Sequence, residues 1–325
     1  MTPLLEWGIP VIAWLQGLGA WLTPLMQAIT FLGDEQFYLL ILPILLWWVD
    51  IGLGIRIGLA LLLSAGLNGG LKLVFGTPRP YWVSTKIQAL NSGTTYGIPS
   101  GHAQNAVVLW GRLAVLVKAG WMKWVLWALI ALIGISRSYL GVHFPTDVML
   151  GWGIGLLLLW GLVELDEPVR TRLARMSVGG RIGMVSLLAL AIIAFGAAAY
   201  LATASRNVPE AWAAQAAAAI PGSDPIEPQA MTDSITAAGT LFGLGVGAVL
   251  LIEWGSFHPR GRFPVLLARY VVGVAGLLAI YLGLSAVFPG GHSFLAYVLR
   301  FVRYAALGLW VAYLAPRLFV SMRLA

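Results

Sequence analysis

Residues 182–203 read IGMVSLLALAIIAFGAAAYLAT, a run without one charged side chain. Its length matches the roughly 20 apolar residues that carry an α-helix across a bilayer. Working outward from it, runs of the same kind recur at about 36–53, 55–75, 100–118, 122–138, 145–163, 235–253, 265–287 and 295–318. The 325-residue chain is 59% hydrophobic and only 10% charged, with a mean hydropathy of +0.86, whereas a soluble domain carries about 25% charged residues. So few charges cannot cover a water-facing surface of that size, and a bilayer removes the requirement. The sequence therefore predicts an all-α fold, a polytopic transmembrane helix bundle.

Three segments follow from the pattern. Residues 1–34 hold Trp7, Trp14, Trp21, Pro10 and Pro24; they read as an interfacial helix, with a spanning helix as the alternative. Residues 35–204 hold six apolar runs and form the expected core. Residues 205–325 form a C-terminal extension with further transmembrane helices. Its opening stretch carries Glu210, Asp224, Glu227 and Asp233 with Pro209, Pro221 and Pro225. It reads as an acidic loop with one short Ala-rich helix near 210–219, a linker without a function of its own. The first basic residue is Arg56, so the positive region of a signal peptide is missing.

The chain has no cysteine, which excludes disulfides, thiolate nucleophiles and cysteine metal sites. The net charge of +7 sits mostly in short loops, which argues for membrane orientation rather than nucleic acid as a partner. If the loop at 118–123 is cytoplasmic, alternation puts most Lys and Arg inside, among them Arg112, Arg170, Arg172, Arg175, Arg181, Arg260, Arg262 and Arg269. Loops 76–99 and 138–144 then face the outside of the membrane.

Polar residues crowd into three stretches: Lys72-Leu-Val-Phe-Gly-Thr-Pro-Arg79-Pro80, Pro99-Ser100-Gly101-His102, and Ser136-Arg137-Ser-Tyr-Leu-Gly-Val-His143-Phe-Pro-Thr-Asp147. Lys72, Arg79 and Arg137 fall at the same-side ends of expected helices. Ionisable groups at membrane depth are expensive and usually functional, and three converging cations need an anion. Phosphate suits them, since guanidinium groups grip it bidentately. Ser100 is a favoured N-cap, Gly101 allows close backbone approach, and free N–H groups at a helix start bind anions. His143 and Asp147 are four apart; on a helix beginning near 144 the carboxylate can hold one imidazole nitrogen and leave the other free to attack. His102 supplies the complementary acid. No carboxylate cluster suggests a metal, so neither a metal ion nor another cofactor is expected.

In order and spacing these stretches resemble the signature of the type 2 phosphatidic acid phosphatase superfamily, and no position of that signature departs from the pattern. The superfamily includes lipid phosphate phosphatases, isoprenyl-diphosphate phosphatases, glucose-6-phosphatase and vanadium haloperoxidases. The wording around the motifs is similar to sphingosine-phosphate phosphatases. The resemblance covers about 35–165. It implies a metal-independent membrane phosphatase with His143 as nucleophile through a phosphohistidine, His102 as acid and base, Asp147 as orienter, and Lys72, Arg79, Ser100, Gly101 and Arg137 as phosphate ligands. A lipid phosphomonoester or isoprenyl diphosphate is the expected substrate, in a bacterial inner membrane with the site on the periplasmic side. A lipid phosphotransferase using the same phosphohistidine, or a transporter or scramblase on the same fold, are the alternatives. Arg300 and Arg303 share a helix face and are expected either to contact a second phosphate or to snorkel to the interface. Trp82 is a further candidate substrate contact. His258 and His292 are expected to lie outside the chemistry.

Overall fold

The computed structural model describes residues 6–255 and 257–324, and every regular element among them is helical. The leading segment forms α1 (Gly8–Gly17) and, after a 3-10 turn, α2 (Thr23–Phe31). Next come α3 (Glu35–Val49), α4 (Ile51–Phe75), the four-residue α5 (Pro80–Val83), α6 (101–116), α7 (Gly120–Tyr139) and α8 (Pro145–Glu164). Then follow α9 (Asp166–Ala174), α10 (Val178–Ala202), α11 (Glu210–Ala219), α12 (Thr232–Trp254), α13 (Phe263–Val287) and α14 (Phe294–Ser321). Among the described residues, 7 helices are long and apolar enough to cross a membrane.

Two expected spans come out shorter. The run at 36–53 stops at Val49 because Asp50 adopts an extended backbone, φ −158° and ψ 123°. Its Oδ1 accepts from the Leu53 N–H at 2.6 Å, so the aspartate caps the start of α4 and one apolar run is divided between two helices. The run at 100–118 yields only α6, which ends where Val117 turns extended. In the leading segment α1 meets the Ala20–Phe31 stretch at 87°. Neither arm alone reaches across the roughly 30 Å of a hydrocarbon core.

The chain divides into two compact units. The first takes residues up to Phe37, Asn68–Val163 and Ala197–Ala230; the second takes Tyr38–Leu67, Glu164–Gly196 and the chain from Met231. Both are discontinuous, so they partition the chain along different lines from the consecutive segments 1–34, 35–204 and 205–325.

In the first unit, Leu73, Tyr81, Trp82, Tyr96, Tyr139, Leu140 and Val142 form an apolar shell around the polar motifs. Ala106, Val107, Ile130, Ile133 and Leu159 tie α6, α7 and α8 together. The segment expected to be a linker belongs to this unit. Arg206 donates to the carbonyls of Leu73 at 2.8 Å and Val74 at 3.0 Å, supplying partners that the last turn of α4 otherwise lacks. Gln229 in turn donates to the Arg206 carbonyl at 2.6 Å, Glu227 N–H donates to the Thr94 carbonyl at 2.9 Å, and Trp212 on α11 lies 6.3 Å from Trp82. The segment thus braces the loop that follows Lys72.

In the second unit α12 and α14 pack backbone to backbone. A Cβ at Gly239 would stand 2.6 Å from the Phe301 carbonyl oxygen, and Gly243 and Gly308 sit as tightly, the small-residue packing that membrane helices use. Arg269, expected to be an inside-loop cation, is instead buried on α13 at 1% exposure. It donates to the carbonyls of Trp47 at 3.1 Å, Pro259 at 2.7 Å and Leu324, and its guanidinium lies over the Phe257 ring. One side chain therefore pins the starts and ends of several helices. Arg269→Ala leaves those buried carbonyls unpaired and is expected to cost on the order of 3 kcal/mol, read as a fall in the thermal unfolding midpoint of the detergent-solubilised protein; a midpoint equal to wild type contradicts this account of the second unit.

Candidate active site

Four helix ends of the first unit carry the polar motifs: the last turn of α4 (Lys72), the starts of α6 and α8, and the last turn of α7 (Arg137). The local rules explain each end. Ser100, extended at φ −69° and ψ 115°, caps α6 and accepts from the Ala103 N–H. Pro145 opens α8, where a missing N–H costs nothing. Between α7 and α8 the chain reverses through Gly141 at φ +77°, a conformation that L side chains resist; a Cβ there would also run into the Gln88 carbonyl.

His143 lies in that turn and is 2% exposed. Its Nδ1 is 3.2 Å from Asp147 Oδ2, and the same carboxylate oxygen accepts from the Phe144 N–H at 3.0 Å. Asp147 is fully buried, and its Oδ1 has no hydrogen-bond partner. The other imidazole nitrogen, Nε2, stands 3.3 Å from Arg79 Nη1. A guanidinium only donates, so Nε2 is the acceptor there and the proton of the neutral ring resides on Nδ1, facing Asp147. Burial, followed by the charges of Arg79, Arg137, Lys72 and His102, holds the imidazole's proton affinity well below its ordinary value of 6.5.

Arg79 is 4% exposed and is fixed by the Thr95 carbonyl at 2.7 Å and the Val142 carbonyl at 3.1 Å. Its guanidinium also faces the Trp82 ring at 5.9 Å. Trp82 itself is 1% exposed, so it backs the arginine rather than forming an open wall. The Thr95 hydroxyl accepts from Lys72 Nζ at 2.8 Å and lies 3.4 Å from Arg79 Nη2, which brings the first two cations onto one residue. Arg137, also 4% exposed, donates from Nη1 to Thr30 Oγ1 at 2.8 Å and keeps an Nε–H without a partner. Asn68 bridges the Pro99 carbonyl at 3.2 Å and Gln104 Oε1 at 2.9 Å, and would press against a Cβ at Gly101 at 3.2 Å. His102 lies on the first turn of α6, with Asp34 Oδ2 at 3.7 Å from its Nε2.

The structure therefore gathers Lys72, Arg79, Ser100, Gly101, His102, Arg137, His143 and Asp147 within one compact unit. Arg300 and Arg303 belong to the other unit. There Arg303 donates to Ser285 Oγ at 2.8 Å and lies over the rings of Tyr281 and Tyr304. His258 and His292 are exposed residues of that second unit. Thr30, Asp34, Asn68 and Thr95 were not singled out from sequence. Only Asn68 carried a signal, an amide inside an apolar run; the others are ordinary loop and helix-end residues until the fold brings them in.

A buried, cation-lined centre built on helix ends, with a carboxylate-held imidazole aimed into it, defines a class: helical membrane proteins that handle a phosphoryl group. Residues 53–169 match the profile described as PAP2 superfamily, and residues 235–325 match PAP2 superfamily phosphatase, transmembrane extension. A phosphatidylglycerophosphatase B of Bacillus subtilis is 35% identical over 169 residues, 46% of this chain and 78% of the relative. An undecaprenyl-diphosphatase of Sulfolobus acidocaldarius is 30% identical over 117 residues, 35% of this chain and 56% of the relative. A crystal structure of a transmembrane phosphatidylglycerolphosphate phosphatase from Bacillus subtilis is 29% identical, with a TM-score of 0.44 over 52% of this chain and 89% of that one. The chain belongs to the PAP2 superfamily and is a membrane lipid phosphatase of that family.

Gly97 offers a local test of the site's geometry. A Cβ there would stand 2.9 Å from both Asp147 Oδ2 and the Pro78 carbonyl oxygen, and the carbonyl cannot move without shifting the chain that carries Arg79. Gly97→Ala is expected to lower kcat/KM by about tenfold or more, as misplaced catalytic groups do, with the protein still monodisperse in detergent. Wild-type activity in this variant argues against the close approach.

Proposed function

We propose that the protein hydrolyses a lipid phosphomonoester or an isoprenyl diphosphate through a phosphohistidine on His143. The observation that carries this reading is the double engagement of His143, with Nδ1 on Asp147 at 3.2 Å and Nε2 turned to Arg79 at 3.3 Å. A neutral imidazole oriented by a carboxylate is an activated nucleophile, and the guanidinium marks where an equatorial phosphate oxygen sits. Nε2 attacks phosphorus in line with the leaving oxygen. Lys72, Arg79, Arg137 and the N–H groups at the start of α6 take the charge on the three equatorial oxygens. His102 protonates the leaving oxygen, and as a neutral base it then draws the proton from the water that attacks the phosphohistidine.

The phosphate ligands are cations and N–H donors, the opposite of a cation site, which supports a reaction that needs no metal ion. The relatives' names offer phosphatidylglycerol phosphate and undecaprenyl diphosphate as the first substrates to try. The positive-inside asymmetry supports a site on the outer face of a bacterial inner membrane.

Four measurements test the reading. His143→Ala is expected to reduce phosphate release to background, and Asp147→Asn by on the order of a hundredfold or more. Quenching with SDS at alkaline pH is expected to trap an acid-labile, alkali-stable phosphoprotein from labelled substrate in wild type and none in His143→Ala. A trapped phosphoprotein that persists in that variant overturns the nucleophile assignment. Activity is expected to survive EDTA; its loss in chelator, with recovery on added magnesium, overturns metal independence. The sign of the pH dependence follows from burial. A depressed imidazole pKa keeps His143 neutral at every pH above it, so the acid limb that this residue contributes to kcat/KM is expected well below pH 6.5. An acid limb at or above that value contradicts the buried, cation-facing environment.

A further inference from the structure

We propose that Asp34, outside the signature motifs, is the positioning residue that turns His102 and stabilises its imidazolium so that it can serve as the acid; the inference rests on the reaction proposed above.

The juxtaposition is geometric. Asp34 occupies the short turn between α2 and α3, and its Oδ2 lies 3.7 Å from His102 Nε2. That nitrogen is sealed from solvent and has no hydrogen-bond partner, a costly state for a buried polar atom, and the facing carboxylate gives it one after a shift of less than an ångström. The turn is held in place by its own contacts. Trp110 on α6 donates to the Leu32 carbonyl at 3.1 Å, Asp34 N–H donates to the Phe31 carbonyl at 3.0 Å, and a Cβ at Gly33 would touch Ile133 at 2.7 Å and His102 Cδ2 at 3.5 Å. The carboxyl of Asp34 is held below its ordinary value, first by its interaction with the facing His102 imidazole, so it stays anionic where the enzyme works.

The need for it is electrostatic. Burial, then Arg137 from α7 and Lys72 from α4, push the His102 imidazole down to about 4 against the upward pull of Asp34, with His143 across the site. The two cations oppose the imidazolium, and Asp34 is the carboxylate that favours it. A pocket built to bind phosphate thus works against its own acid, and the turn before α3 offsets part of that opposition. With Nε2 directed at Asp34, Nδ1 is left to give its proton to the leaving oxygen. The Nδ1–H bond breaks, an O–H bond forms on the departing alcohol or phosphate, and the ring becomes neutral while Nε2–H remains toward the carboxylate.

A leaving group that is already stable as an anion needs no acid, which separates this role from a structural one. The readout is kcat/KM, which ends at departure of the leaving group and is unaffected by the slower fate of the phosphoenzyme. For wild type, Asp34→Asn, Asp34→Glu, His102→Ala and His143→Ala, it is measured on a phosphatidylglycerol phosphate dispersion and on p-nitrophenyl phosphate. Asp34→Asn is expected to lose about tenfold to a hundredfold on the lipid phosphate, part of the range a general acid supplies, and less than about threefold on p-nitrophenyl phosphate. The alkaline limb of its lipid profile is expected to move to lower pH, because the imidazolium loses its stabilising charge. Asp34→Glu is expected to recover most of the lipid activity. If Asp34→Asn does not purify as a folded protein, Asp34→Ser is held to the same criteria. Equal losses on both substrates, or an unmoved alkaline limb, overturn the role of Asp34 provided that His102→Ala shows the leaving-group selectivity. If His102→Ala itself shows none, the acid assignment fails and the inference with it; activity retained in His143→Ala points to failure of the nucleophile assignment instead.

Discussion

Like charges buried together are the constraint on which the rest of this protein turns. Lys72, Arg79 and Arg137 come from three separate elements, and two of them are almost entirely buried. Two unit charges 4 Å apart repel by about 4 kcal/mol at an effective dielectric of about 20, and each cation also loses hydration on burial. Such an arrangement persists only if the scaffold holds it, and neutral acceptors are among the groups that do so. Arg79 is tied to two main-chain carbonyls, Lys72 to the Thr95 hydroxyl and Arg137 to the Thr30 hydroxyl. Acceptors of this kind orient the cations without neutralising them, which leaves a net positive pocket for an anion. Carboxylates in the same positions would fix the geometry equally well and cancel the field.

The same logic explains why so much chain outside the motifs is committed to them. Gln16 on α1 donates to the carbonyls of Gln88 at 2.8 Å and Tyr139 at 2.9 Å, joining the loop after α5 to the end of α7. Arg206 braces the end of α4 from 133 and 132 residues downstream, and Gln229 holds Arg206 in turn. A loop that must hold a strained cluster cannot be left to its own conformational entropy, which costs about 1–2 kcal/mol for each backbone residue that is fixed. The polar segment between α10 and α12 looks like a linker in composition because its job is done through backbone carbonyls and packing, which leave no mark on residue type.

That distinction also accounts for what could be read from sequence. His143, Asp147, Ser100 and the three cations are legible because their chemistry demands particular residue types at fixed local spacing, and the helix starts at Gly101 and Pro145 follow from capping rules. The Ala-rich helix at 210–219 was legible for the same local reason. Asp34, Thr30 and Thr95 are not, because each acquires its meaning from a partner more than twenty residues away. Arg269 misled in the opposite direction. Counted as a loop cation for orientation, it is a buried cross-brace whose charge faces carbonyls, and hydropathy alone cannot separate the two. Asp50 shows how a single capping residue divides an apolar run that composition treats as one span.

The contact between Arg79 and His143 Nε2 has a consequence for the proposed reaction. The guanidinium donates to the Nε2 lone pair of His143, so that nitrogen carries no proton. A phosphoryl group entering the pocket brings oxygens that accept from Arg79 far better than a neutral ring nitrogen does, because hydrogen bonds between ionised partners are roughly twice as strong. The arginine is expected to transfer its N–H from Nε2 to the phosphate, and the lone pair is released only when phosphorus is in place to receive it. Asp147 keeps the ring from rotating during the exchange, since its Oδ2 is itself pinned by the Phe144 N–H. In the proposed reaction one hydrogen bond would thus couple substrate binding to nucleophile activation, with no movement required beyond the two side chains.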